Sequence, residues 1–184
     1  MNKAGTQKIE TKRLILRRFR SKDAEDMYAN WASDPEVAEF LTWPTHTSVE
    51  VTKSLLADWI DRYEDGGYFN WVMEHKETGK VIGNISVVRL NESIEAADMG
   101  YCMSRAYWGQ GLMPEALVAV MDYLFDCVGV NRVAACYDAN NPKSGRVMEK
   151  AGMKREGILR AAGKNNRGIC DEVWYAMIRS DRKK

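Results

Sequence analysis

Gly109 and Gly111 stand one residue apart between a strand-like and a helix-like stretch. Before them, Met99, Tyr101 and Met103 alternate with Gly100 and Cys102, the period of a β-strand. After them, Leu117, Val120, Met121, Leu124 and Phe125 recur at helical spacing. A chain that turns from strand to helix through Gly-x-Gly can bring its backbone close to a ligand, because glycine has no Cβ. Pro114 suits the first helical position. Met113 before it has no side-chain oxygen to accept from the first-turn N–H groups. An external anion could take that place, aided by the positive end of the helix dipole. A plain turn with water at the helix end satisfies the same pattern. Pro114 stands where a dinucleotide fingerprint wants its third glycine, and no P-loop sequence occurs.

The rest of the chain supplies a framework for that turn. Strands are expected at 13–17, 68–75, 81–90, 97–104, 130–137, 155–160 and 173–179. Helices are expected from about Ser21 to Trp31, over 48–63, over 114–128 and over 142–150. Hairpin strands come first and β-α-β alternation later, which predicts an α/β (α+β) fold: a mixed sheet of about seven strands with about four helices on its two faces. With 184 residues and no repeat or linker, residues 1–184 read as a single domain, with 1–10 and 181–184 as loose ends.

Composition narrows the function classes. Lys plus Arg number 27 and Asp plus Glu 26, so a net charge of +1 gives no global attraction to nucleic acid or an anionic membrane. No apolar run approaches the ~18 residues of a membrane span. Cys102, Cys127, Cys136 and Cys170 form no C-x-x-C pair and stand with only two histidines, so no metal site is expected. Cysteines in apolar stretches read as buried, reduced thiols, which suits a cytoplasmic protein.

Met99-Gly100-Tyr101-Cys102-Met103-Ser104, then Tyr107-Trp108-Gly109-Gln110-Gly111 and Glu115-Ala116, resemble the acetyl-CoA motif of the GNAT superfamily. The similarity is to the branch of Rim-type ribosomal-protein N-terminal acetyltransferases. The phosphate loop would be Trp108-Gly109-Gln110-Gly111-Leu112-Met113, with Met113 in place of a small residue. Thr11 to Arg17 followed by Asp23-Ala24 resemble the branch's opening strand and helix. Asn141-Pro142-Lys143-Ser144 and Glu149 to Met153 resemble its N-x-x-S helix and the end of that helix.

The resemblance implies a GNAT fold in which two parallel strands splay apart to hold acetyl-CoA. The arms would be the strand ending at Met103 and the strand at 130–137. Tyr101, Cys102, Met103, the loop 108–113, Asn141 and Ser144 would then contact the cofactor. A backbone N–H near Tyr101–Met103 is the candidate donor to the oxyanion. From spacing alone, Asn141 and Ser144 read as the cap and first turn of a helix rather than as a site. The resemblance implies instead that Ser144 is the general acid.

The base is open. Relatives place a glutamate at what corresponds to Gly163, which cannot serve. Asp98 is the alternative, with a solvated strand end as its plain reading. Glu156 and Asp171 read as structural. Trp43, Pro44, Trp71 and the segment 161–168 are the expected acceptor walls. The implied acceptor is a protein N-terminal α-amine or a small amine, and a homodimer is compatible with the branch. A CoA-binding module without turnover is the alternative to an enzyme. At pH 7 a lysine amine costs about 4.6 kcal/mol to deprotonate and an α-amine only about 1–1.4 kcal/mol, which slightly favours the α-amine.

Overall fold

The computed structural model describes residues 1–182. The strands are β1 (Ile9–Glu10), β2 (Leu14–Arg17), β3 (Asn70–His75), β4 (Val81–Asn91), β5 (Ala96–Met103), β6 (Arg132–Asp138), β7 (Lys154–Asn165) and β8 (Gly168–Ile178). They form one sheet in the order β1-β2-β3-β4-β5-β6-β8-β7. Neighbours are antiparallel except β5 and β6, which run parallel. The α-helices are α1 (Ala24–Met27), α2 (Pro35–Ala38), α3 (Val49–Asp61), α4 (Leu112–Tyr123) and α5 (Pro142–Lys150). The mixed α/β architecture is the expected one. The additions are β1, which pairs with β2 over two residues, and α2. Four residues are too few for α2 to show a helical apolar period, although Asp34 caps it and Pro35 opens it.

Strand alternation divides the core between the two faces of the sheet. Leu14, Leu16, Trp71, Met73 and Met99 point toward α4 and α5. Val72 and Val81 point the other way, onto Met27, Trp31 and Leu56 of the α1–α3 layer. This second layer also covers a charged residue. Arg17 is 7% exposed, and its guanidinium donates to both Asp23 oxygens, at 2.8 and 2.9 Å, and to Glu74 at 2.7 Å.

Several expectations need correction. Residues 1–10 are not loose: the Asn2 N–H donates to the Val128 carbonyl at 2.7 Å, and buried Thr6 donates to the Tyr68 carbonyl. At the other end, Arg182 pairs with Asp122 and Asp126, while Lys183 and Lys184 lie outside the described residues. The segment 161–168 is not a loop. β7 and β8 continue through it to a tight turn at Asn166 and Arg167, with an irregularity between Leu159 and Gly163. The missed signal is a bulge: Ala161 takes φ 49°, and its N–H donates to Asp171 Oδ1 at 2.8 Å, so Asp171 does tie the chain locally. Cys127 is exposed rather than buried.

Candidate active site

β5 and β6 pair only from Ala96↔Arg132 to Met99↔Ala135. Beyond that point Gly100–Met103 stay with β4, and Cys136–Asp138 stay with β8. The two parallel strands therefore part into a wedge. A register shift on β4 between Val87 and Arg89 lies opposite Met99 and Asp98, where the parting begins. Such an irregularity bends β4 and increases the local twist at the level where the parting begins.

The wedge presents free backbone groups. The Ser104 N–H donates to the Ile82 carbonyl of β4 at 2.7 Å. By alternation Cys102 also faces β4, whereas Tyr101 and Met103 direct their backbone into the wedge. The Met103 carbonyl is taken by Trp108 Nε1 at 2.7 Å, which leaves the Tyr101 and Met103 N–H groups as the wedge's donors. Cys102 is thus set apart from the cofactor-facing residues expected around it. Its thiol donates to Asn84 Oδ1 at 3.0 Å, and burial pushes it up to about 12.

The glycine turn closes the wide end. Gly109 and Gly111 adopt φ 78° and 77°, a left-handed conformation that costs a residue with a Cβ about 1–2 kcal/mol. A Cβ at Gly109 would meet nothing within 4 Å, so the outer side of the turn is open. Gly111 is the N-cap of α4, and no side chain accepts from the first turn. The helix begins at Leu112, so Pro114 is third in the helix rather than first. Its missing N–H is still among those with no intrahelical partner. Leu112 and Met113 are 1% and 3% exposed, with side chains in the core, so only their backbone faces the turn. The bulk of Met113 therefore does not crowd it. Gln110 folds back to the Ala106 carbonyl, and Lys143 lies 4.8 Å over the Trp108 ring.

Arg13 is a residue the sequence reading left without a role here. Its Nη1 donates to the Gln110 carbonyl at 2.8 Å, and its Nε to Glu115 at 2.7 Å. The Thr11-to-Arg17 stretch carried this information only as a family likeness, because the contact joins distant parts of the chain.

On α5, Asn141 is the N-cap but its side chain makes no capping bond, so plain capping does not explain it. Ser144 meets Tyr101 across the wedge. The Tyr101 hydroxyl lies 3.0 Å from Ser144 Oγ and 3.1 Å from the Ser144 carbonyl oxygen. A phenol has one proton to give. Donated to Ser144 Oγ, it leaves the Ser144 proton free to point into the wedge; donated to the carbonyl, it leaves the Ser144 hydroxyl to donate to the phenol oxygen. Burial raises the Tyr101 pKa and keeps the phenol protonated, against the lowering effect of the Ser144 bond. Gly145 lets α5 approach, since a Cβ there would sit 2.7 Å from the Tyr137 ring.

Asp98 does not join this group. It lies on the paired part of β5, about 10 Å along the strand from Tyr101. Its carboxylate is held by Arg89 Nε at 2.6 Å, a partner that removes the reason to make it the base. Glu156 is structural, paired with Arg132 at 2.7 Å. Trp71 is fully buried on the α4 side and lines no acceptor pocket. Pro44 does line a cleft, with Pro35, Ala38, Glu39, Thr45 and Asn166. Trp43 borders it, its carbonyl accepting from Asn166 Nδ2 at 2.8 Å. Among the described residues, no helix is long and apolar enough to cross a membrane, and no group of three or more potential metal ligands occurs.

An uncapped helix start beside two open glycines, leading into a wedge with free amides, fits an extended ligand that ends in an anion. Comparison with known proteins agrees. Residues 13–154 match the acetyltransferase (GNAT) domain model. The chain is 29% identical over 171 residues to the uncharacterized N-acetyltransferase YoaA of Bacillus subtilis (strain 168), covering 93% of this chain and 96% of that one. It is 26% identical over 158 residues to the ribosomal protein uS5-alanine N-acetyltransferase of Escherichia coli (strain K12), covering 83% and 81%. In fold it is similar to the ribosomal-protein-S5-alanine acetyltransferase of Vibrio fischeri, with TM-score 0.83, 23% identity and coverage of 97% and 100%. The microcin C7 self-immunity acetyltransferase MccE, solved with acetyl-CoA and AMP, gives TM-score 0.82 at 18% identity, covering 91% and 93%. The match over most of the chain, on a sheet that parts where the resemblance requires, makes this protein a member of the GNAT acetyltransferases.

Proposed function

We propose that the protein moves an acetyl group from acetyl-CoA directly to a primary amine in a ternary complex, with a protein N-terminal α-amine as the acceptor. The parting of β5 and β6 beside the uncapped start of α4 carries this reading. The acceptor rests on the likeness to uS5-alanine acetyltransferases and on the lower cost of deprotonating an α-amine.

In this reading the N–H groups of Gly109, Gln110, Gly111, Leu112 and Met113 hold the pyrophosphate, with Trp108 beside it. Tyr101 and Met103 donate backbone N–H groups to the pantetheine arm, and one of them donates to the thioester oxygen as it gains charge. The Asn141 side chain contacts the same arm. The Ser144 hydroxyl gives a proton to the departing sulfur, held in direction by Tyr101. Acetyl-CoA supplies the activated acyl group.

Calorimetric titration with acetyl-CoA tests the donor half. Saturable binding is expected, and Gly111→Trp should abolish it while the far-UV spectrum is kept. Transfer is then measured to peptides with free α-amines, to peptides with blocked α-amines and one lysine, and to small primary amines. Preference for the first set supports the proposed acceptor; preference for either other set replaces it. Ser144→Ala should lower kcat about 10²-fold with acetyl-CoA binding unchanged.

A further inference from the structure

The mechanism above lacks a group to take the proton from the amine. We infer that Glu172 is that group: its carboxylate stands on the acceptor-facing side of β8, beside the mouth of the wedge, and serves as the general base. The inference rests on the proposed acetyl transfer.

The placement follows from register. Glu172 pairs with Asp138 of β6 and Trp174 with Cys136. Val173 and Tyr175 point into the α4–α5 core, so Glu172 and Trp174 point to the opposite face. Cys102 and Cys136 share that face, the latter being the first residue of β6 beyond its last pair with β5. The Cys136 thiol is raised to about 12, by burial first and by the charge of nearby Glu172 second. The thiol thus remains a neutral neighbour, and Glu172 lies opposite Asp138, three residues along β6 beyond its last pair with β5.

The surroundings hold this carboxylate without neutralising it. Trp174 Nε1 donates to Glu172 Oε2 at 3.1 Å. Among the described residues, no Lys or Arg nitrogen lies within 4.0 Å of it. Neighbouring carboxylates are committed elsewhere. Asp138 accepts from the Asn140 N–H and side chain and from Asn165, Asp98 pairs with Arg89, and Asp171 accepts from Ala161.

Gly163 accounts for the room. A Cβ there would lie 2.5 Å from Glu172 Oε1 and 2.9 Å from its Cγ. Gly163 does not have a positive φ, so the backbone does not demand glycine. The space over residue 163 is filled by the Glu172 carboxylate, reaching from the adjacent strand.

The amine nitrogen bonds to the thioester carbonyl carbon, and Glu172 takes a proton from that nitrogen directly or through one water. The carbon–sulfur bond breaks, and Ser144 gives the sulfur a proton. Glu172 returns its proton to solvent, and solvent restores that of Ser144.

The test compares wild type, Glu172→Gln, Glu172→Ala and the double variant Glu172→Ala/Gly163→Glu, using the most reactive amine from the acceptor panel. Glu172→Gln keeps an oxygen for Trp174 and should fold normally. It should lower kcat at least 10²-fold, with the calorimetric affinity for acetyl-CoA unchanged. The double variant places a carboxylate in the vacated space from the other strand and should recover at least tenfold over Glu172→Ala. A loss in Glu172→Gln of less than tenfold overturns the role of Glu172 while leaving acetyl transfer intact. If wild type binds acetyl-CoA but transfers to no amine, the proposed transfer fails and this role fails with it.

Discussion

The Glu115 carboxylate accepts from two parts of Arg13 at once, the backbone N–H at 2.8 Å and the side-chain Nε at 2.7 Å. The Thr11 hydroxyl adds a third bond at 2.6 Å. One carboxylate in the first turn of α4 thereby fastens the glycine turn to the start of β2.

Glu115→Ala should lower stability by about 1–3 kcal/mol, the range for hydrogen bonds to charged groups, and weaken acetyl-CoA binding about tenfold. Urea unfolding and calorimetry read the two effects, and an unchanged affinity would make the clamp purely structural. Burial acts to raise the Glu115 pKa, but the Thr11 and Arg13 bonds outweigh it, so the group lies below its usual 4.5. A depressed carboxylate contributes stability above its unfolded pKa and loses it as pH falls through the folded one. Wild type and Glu115→Gln should therefore differ in stability above pH 4.5 and converge in stronger acid.

Gly145→Ala places a methyl against the Tyr137 ring at 2.7 Å. Relief requires α5 to retreat, at a cost of about 1–3 kcal/mol. Since α5 carries Ser144, kcat should fall as well. Thermal melts and steady-state rates measure both, and a full rate at reduced stability would show that Ser144 holds its place independently of the helix.

Asp23→Ala strands the Arg17 guanidinium in the α1–α3 layer, where it keeps Glu74 but loses its bidentate partner. Breaking a buried pair in this way costs about 3–5 kcal/mol. Chemical denaturation should show this loss. A change below about 1 kcal/mol would mean that water reaches Arg17.

Thiol labelling at pH 8 should find one fast site. Cys127 is exposed, whereas Cys102, Cys136 and Cys170 are half-buried with raised thiols, burial being first among the causes in each. Cys127→Ser should remove the fast phase and leave folding unchanged.

The order of strands and helices was legible because alternation and helical spacing are local signals. The helix over 48–63 and the turn through Gly109 and Gly111 into α4 are of this kind. What escaped depends on contacts far apart in sequence. Nothing near Arg13 announces Glu115, and nothing near Ser144 announces Tyr101. Asp98 looked available because Arg89, nine positions earlier, pairs with it only once β4 and β5 fold together. The segment 161–168 read as a loop because Gly163, Asn165, Asn166 and Gly168 are turn residues, although one bulge and a short turn absorb them.

Asn166 binds three carbonyls across the cleft lined by Pro35 and Pro44: Leu41 through its N–H at 3.1 Å, and Ala38 and Trp43 through its side chain at 2.8 Å each. The strand turn on one bank and the α2 segment on the other are thereby stitched together. If an amine enters here, it meets a slot of fixed outline. Discrimination among acceptors then lies in what the slot admits, before any proton moves.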